Sequence, residues 1–575
     1  MADKLRNLTF NISKKIAYGI FGFICFYLFL SSIFSTCLMW FHMETTYYIR
    51  DFALLMVIGL LGMLGMFFLM RNLVLKILKQ YRFTITLLTV IWAVLLIGFV
   101  CNTDISLVYD QARIYEAVAG FVKGDYRMWQ QGGYIYCYPF QNGLVLLYAP
   151  LRLIFGKHIY GAVQAINVAM YWLLAVGFYK LAKKYFDNAV AVFTYIGILF
   201  FLPLWGYVKF FYGNIPGLCT VIWAVYFLIC FTEDHRWRYL SGSALCTAFS
   251  VMFKNNFLIY GIAMILVLIL ESICKKKIDY LAAAAVLGLT VICAGKVPAW
   301  VAHRITGCVT DQGLPAIGWV AMGLKESYVA PGWYSGDSIQ SFAENQYSVE
   351  KSVNDAWQSI QDSFATFSAY PDYALRFFGR KTASIWNNPT FEGFAVVIKG
   401  NLQGKIAYWM KDILYSGGTA NAVLALIMDI LQSVYLFGNL LYLMYCKKKH
   451  DLQRAIPLIA LIGGFLFHIF WEAKCQYTIL FFVILIPYAF AGYKNCIQKM
   501  TEWYQGQCRA ERLKKSKNVW AFGLLMAVLL IIGIWNNPIF DATIKLRGDE
   551  AAYIWLYKEE SFWKSPNFTK EGPRE

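Results

Sequence analysis

Residues 101–143 read CNTDISLVYDQARIYEAVAGFVKGDYRMWQQGGYIYCYPFQNG, a polar and aromatic segment directly behind a strongly apolar N-terminal block. Asp104 and Asp110 stand just past the end of the hydrophobic stretch 83–101, where a carboxylate meets the membrane surface. A base at that place suits an enzyme that deprotonates an acceptor hydroxyl beside a lipid-linked donor. On a helix beginning near Asp110, Arg113, Ile114 and Ala117 share its face, so a carboxylate and a guanidinium point together. The plainer reading of Asp110 is a helix cap, since Asp is a favoured capping residue.

The chain outside this segment sets the class. Of 575 residues, 59% are hydrophobic and 15% charged, and the mean hydropathy of +0.50 excludes an ordinary water-soluble domain. Spans need ~20 mostly apolar residues, and about thirteen are placed: 16–40, 53–70, 83–101, 159–179, 188–206, 214–231, 239–253, 256–271, 279–300, 418–445, 453–471, 476–493 and 519–536. The apolar stretch 143–155 is read as a half-embedded juxtamembrane helix, because counting it as a span inverts everything after it. The fold class expected is an all-α polytopic membrane protein. Its parts are N-terminal spans (1–82), a transmembrane core (83–300) with a first outer loop at 102–158, a small helical outer loop unit (301–417), C-terminal spans (418–536) and a tail (537–575).

Lysine and arginine set the orientation, because cytoplasmic loops retain positive charge. With the N-terminus inside, every inner loop is basic, from Lys14 and Lys15 through Lys275 to Lys277 and on to the run ending at Lys517. The expected location is the plasma membrane of a bacterium, multi-pass, with a cytoplasmic N-terminus and an extracytoplasmic C-terminus. The excess of 52 basic over 34 acidic residues is then topology and contact with anionic lipid. Nucleic acid is a poor partner, since the charge is divided among separate loops. Fourteen cysteines form no CxxC pair and six histidines no HExxH, so no cofactor is expected, with a divalent ion left open.

Further candidates are charges in apolar surroundings. Lys254 precedes Asn255 and Asn256 between two spans on the outer side, where a cation suits a donor phosphate; the plainer reading is a snorkelling lysine. Lys209, Arg376, Arg380 and Lys381 invite the same question. His468 to Tyr477, HIFWEAKCQY, puts Glu472, Lys474 and Tyr477 into one short outer turn. Tyr138, Pro139, Phe140 and Gln141 suit a groove for an isoprenoid chain, although interfacial tyrosines are also common anchors.

In that order these motifs resemble the GT-C glycosyltransferases that use polyprenyl-phosphate sugars. They are most similar to glycosyltransferase family 39, with its protein O-mannosyltransferases and aminoarabinose transferases, and within it to little-characterised Gram-positive bacterial members. The carriers are Asp110-Gln111, Gly124-Asp125-Tyr126, Tyr138 to Gly143, Tyr212-Gly213-Asn214, Lys254, Pro315 to Leu324, Gly332-Trp333-Tyr334 and Glu472 to Tyr477. The likeness spans roughly 85–495. Gln476 departs from it, standing where those relatives carry arginine, and Asn255 stands where many have Pro-Thr.

The resemblance implies an inverting transfer from a polyprenyl-phosphate sugar to a glycan, lipid or protein acceptor. Asp110 is then the base, with Asp104 the second choice. Arg113, Lys254 and Lys474 bind phosphate, Glu472 orients one of them or contacts sugar, and Trp319 and Trp333 cover the cleft. Two other classes meet the same composition: a flippase or transporter of lipid-linked saccharides, and a non-catalytic scaffold of envelope assembly. The gathering of polar groups at one face favours the enzyme.

Overall fold

A computed structural model describes residues 2–39, 46–51, 53–69, 78–310, 312–401, 405–415, 418–445 and 452–504. The chain is a multi-pass, all-α membrane protein. Among the described residues eight helices are long and apolar enough to cross a bilayer, or nine if the pair Cys475–Phe482 and Leu485–Glu502, bent by 41°, is one span.

Eleven of the twelve spans expected before residue 500 fall on helices, though not all are of spanning length, and 16–40 is helical only as far as Phe34, where a strand takes over. The stretch 188–206 breaks into Asn188–Leu199 and Pro203–Val208, because Pro203 lacks the N–H needed to continue a helix and starts a new one instead. Trp237–Phe253 has 17 residues and stops at Lys254, whose backbone is extended. The apolar helix after residue 53 is also short. The span 519–536 and the tail 537–575 lie outside the described residues.

The juxtamembrane expectation at 143–155 corresponds to the helix Asn142–Phe155, separated by a single 3₁₀ turn from the long helix Ile159–Tyr185. Leu153 and Ile154 at its far end are among the most exposed apolar side chains. Close approaches bring the elements around the later site together. A Cβ on Gly143 would lie 2.6 Å from the Met252 carbonyl, and one on Gly213 would collide with the Phe253 carbonyl. Only residues without a side chain allow the Tyr212 and Lys254 corners to meet.

The 301–417 segment is helical as expected, with Ala316–Gly323, Asp337–Glu344, Val349–Ala369 and Pro371–Trp386. The Ser348 side chain caps the third of these, and Pro371 opens the fourth, where its missing N–H is harmless. Ala321, Leu324, Ala356, Ile360, Phe367 and Phe377 give it a small core of its own. An element the sequence reading did not foresee is an antiparallel hairpin, Ser35–Met39 paired with Thr46–Arg50. It docks on this segment through Cys37 N to Asn387 O (2.9 Å), Thr46 N to Val329 O (3.1 Å) and the Tyr48 hydroxyl to Arg380 O (2.9 Å).

Candidate functional site

The main cavity holds about 770 Å³ and is walled by the first loop, the Tyr212 and Lys254 corners, the 316–334 segment and the 472–477 turn. Asp110 reaches it from the helix Tyr109–Lys123, which ends at Gly124 in the left-handed region that glycine tolerates. Val108 is the cap residue, so Asp110 is already inside the helix and does not cap it. Instead the Tyr134 hydroxyl donates to Asp110 Oδ1 at 3.1 Å. The residue before it, Tyr109, has φ +51°, a strained conformation for a side-chain-bearing residue and one that collects at functional sites.

Across the cavity stands Lys254, 7% exposed. Its Nζ donates to Asn214 Oδ1 at 3.0 Å and to Gln476 Oε1 at 3.5 Å, and it lies 5.0 and 4.9 Å from the ring centres of Tyr212 and Tyr477. These acceptors are neutral amides. Burial, and then the neighbouring charge of Lys474, push the Lys254 ammonium down to about 7. Glu472 is also buried, accepts from the Tyr477 hydroxyl at 3.2 Å, and is pushed up to about 7, chiefly by burial. Lys474 occupies an extended cap position before Cys475–Phe482 and lines the same space.

The sequence candidates divide clearly. Asp110, Arg113, Lys254, Lys474, Tyr138, Gln141, Trp319, Glu472 and Tyr477 all line the cavity. Arg113 is 59% exposed and bonded to Glu116 at 3.1 Å, so it stands at the rim. Gln141 donates to the Tyr212 hydroxyl. Trp319 packs against Tyr138, Phe140 and Trp471, stacked on the last with centroids 6.2 Å apart.

Asp104, Pro139 and Trp333 are not in the lining. Asp104 is 66% exposed and faces Lys405 at 3.5 Å. Pro139 abuts Gly313. Trp333 is buried, with Nε1 donating to Ser384 Oγ at 2.7 Å, so it fastens the 332–334 turn rather than covering the cleft. Its backbone bridges to Ala473 beside the cavity.

Lys209 and Lys381 are buried as well, away from the cavity. Lys209 donates to Val100 O at 3.2 Å. Lys381 donates to three carbonyls, Gly323 (2.5 Å), Ile469 (2.8 Å) and Trp471 (2.8 Å). It thereby joins the end of the Trp319 helix to the end of the helix Ile456–Phe470 that leads into Glu472. Arg380 pairs with Glu326 at 2.5 Å.

Sequence reasoning did not single out Tyr109, Tyr134 or Lys399, all of which line the cavity, and named Tyr334, which also lines it, only within a motif. Lys399, whose Nζ lies 3.7 Å from Glu392, carried the same signal as Lys254, a lone cation in the apolar run FAVVIKG. Among the described residues no group of His, Cys, Asp and Glu is arranged to hold a metal ion.

Residues 146–294 match the protein family described as dolichyl-phosphate-mannose-protein mannosyltransferase. The match agrees with the resemblance read from the motifs; it takes in Tyr212 and Lys254 and leaves Asp110 and Glu472 outside. No curated protein matches the chain. Among solved structures, the chain is similar to the archaeal oligosaccharyltransferase AglB from Archaeoglobus fulgidus in complex with an inhibitory peptide and a dolichol-phosphate. The identity is 13%, the TM-score 0.37, and the alignment covers 84% of this chain and 57% of that one.

Proposed function

We propose that the chain is a membrane glycosyltransferase. It moves a sugar from a polyprenyl-phosphate donor to a cell-envelope acceptor at the outer face, with inversion and with Asp110 as base. The observation that carries the reading is that Lys254 and Lys474 line one cavity together with Asp110. A lysine buried against neutral amides and beside a second cation is costly to keep charged, a cost that the carboxylates of Asp110, Glu392 and Glu472 offset only in part. An anion placed between the two cations removes that cost, and a phosphate is the anion the matched family handles.

The chemistry follows from these positions. Asp110 takes the proton of the acceptor hydroxyl, whose oxygen attacks the anomeric carbon while the bond from that carbon to the phosphate oxygen breaks. Polyprenyl phosphate departs with the electron pair. Lys254, Lys474 and, from the rim, Arg113 stabilise the charge that grows on it. Glu472, poised near neutrality, contacts sugar or fixes Lys474. Trp319 offers an indole face to the sugar and excludes water.

The basic residues of the intervening loops support an outer placement for both the 102–158 and 301–417 segments. The test is incubation of the purified protein with a panel of polyprenyl-phosphate sugars, scoring free polyprenyl phosphate by mass. Release that Asp110→Asn abolishes supports the reading. No release from any donor, or release indifferent to Asp110, overturns it.

A further inference from the structure

A second cluster of ionisable groups lies away from the cavity, where the hairpin meets the membrane helices. The Thr36 hydroxyl stands 2.9 and 3.0 Å from the two carboxyl oxygens of Asp51 and 2.9 Å from Oδ2 of Asp429. Asp429 belongs to the helix Thr419–Tyr445 and is 1% exposed, and its Oδ1 has no partner among the described residues. The other side chains here are neutral: Ser32 bonds Ser433 at 2.9 Å, Asn387 bonds Ser35 at 3.0 Å, and Gln432 bonds the Trp386 carbonyl. Among the described residues no lysine, arginine or histidine is bonded to either carboxyl; Thr36 is the side chain that touches both.

Counting hydrogens decides the state of this pair. Thr36 owns one hydroxyl hydrogen, which serves one carboxyl. The 2.9–3.0 Å contact to the other is a hydrogen bond only if that carboxyl supplies the hydrogen itself. Two bare carboxylates here would leave one oxygen pressed on another, with no cation bonded to either among the described residues. We infer that Asp51 and Asp429 form a proton-binding site, in which the pair holds one proton and through it ties the hairpin to the Thr419–Tyr445 helix. Burial pushes the Asp51 carboxyl well above the usual carboxylate range, in keeping with a proton shared within the pair. An ionisable residue inside a membrane helix is a functional candidate, and here its partner is known. Loss of the proton sets two charges on one hydroxyl and loosens a hairpin that docks on Val329, Arg380 and Asn387. The inference is independent of glycosyl transfer.

The experiment is infrared difference spectroscopy of the full chain in lipid, across a pH series, in the Glu472→Gln background so that no signal comes from that carboxyl. A protonated-carboxyl carbonyl band should persist at neutral pH, shift on deuterium exchange and vanish as the pH is raised. It should be absent from the variant that also carries Asp51→Asn and Asp429→Asn. No band at neutral pH, or a band that survives in that variant, overturns the inference. A midpoint that drops when sodium replaces choline overturns it in favour of a bound cation.

Thermal stability supplies a second measure should the multiple variant fold poorly. A carboxyl whose folded pKa is raised holds its proton longer in the folded state, so stability is lost as pH rises toward that pKa. Asp429→Asn should flatten this loss relative to the parent, and equal slopes would overturn the proposal.

Discussion

Replacing Lys254 with methionine separates the phosphate-binding reading from a structural one, because the two predict different pH behaviour. Methionine keeps the apolar stem and removes the ammonium that bonds Asn214 and Gln476. A charge-assisted hydrogen bond contributes about 1.5–3 kcal/mol, which is roughly a 10- to 150-fold weakening of donor binding. Burial holds Lys254 near 7, so at neutral pH about half the molecules must gain a proton before they bind, a correction of about 0.4 kcal/mol.

Two signs follow. Donor affinity of the parent should fall as pH rises above about 7, by up to tenfold per unit, and this slope should vanish in Lys254→Met. In the ligand-free protein the folded pKa is depressed, so the unfolded chain binds more protons between that value and the ordinary lysine range. The stability of the parent relative to Lys254→Met should therefore increase with pH across that interval, by up to about 1.4 kcal/mol per unit. Titration of a fluorescent polyprenyl phosphate gives the first slope, and thermal melts in parallel buffers give the second. Unchanged affinity together with a pH-independent stability difference would refute the reasoning and return Lys254 to a structural role.

Asp110→Asn should lower transfer by about 10²–10⁴ with donor affinity nearly unchanged, while Asp104→Asn has little effect; turnover assays ranking the two in reverse would move the base. Lys381→Met leaves one buried and two part-buried carbonyls without this partner, at about 1–3 kcal/mol for the buried one. Its melting midpoint should drop sharply and protease should release the 316–334 segment first; a midpoint within a degree of the parent would remove the clamp role. Gly213→Ala forces a Cβ against the Phe253 carbonyl, and should weaken donor binding and folded yield together, as measured on one size-exclusion and binding series. Cysteines placed at Ser338 and Gln130 should both react with an impermeant reagent in intact cells; labelling of one only after permeabilisation would break the shared-face assignment.

Legibility followed the range of the interaction. Spans show in the sequence because transfer energy accumulates along neighbouring residues, and breaks such as Pro203 are local chemistry. Asp110, Lys254, Glu472 and Lys474 stood out because a charge beside apolar sequence is anomalous by itself. The same anomaly marked Lys381, yet that ammonium is caged by carbonyls from two distant segments, which no local pattern reveals. Trp319 and Trp333 read alike in sequence, and differ because one indole finds Trp471 across an opening and the other finds Ser384 inside the packing. Tyr134 was lost in a run of tyrosines. The hairpin and its carboxyl partner were invisible, since pairing of strands and of remote side chains is a long-range property.

That remoteness sets an order of events during synthesis. Thr36 and Asp429 are 393 positions apart, so at about 5–20 residues per second the hydroxyl emerges some 20–80 s before its second carboxyl exists. For that interval the Thr36 hydroxyl is served by Asp51, 15 positions on. The hairpin therefore docks in two stages, onto Val329, Arg380 and Asn387 once those residues exist, and onto Asp429 only when the 419–445 helix has been made.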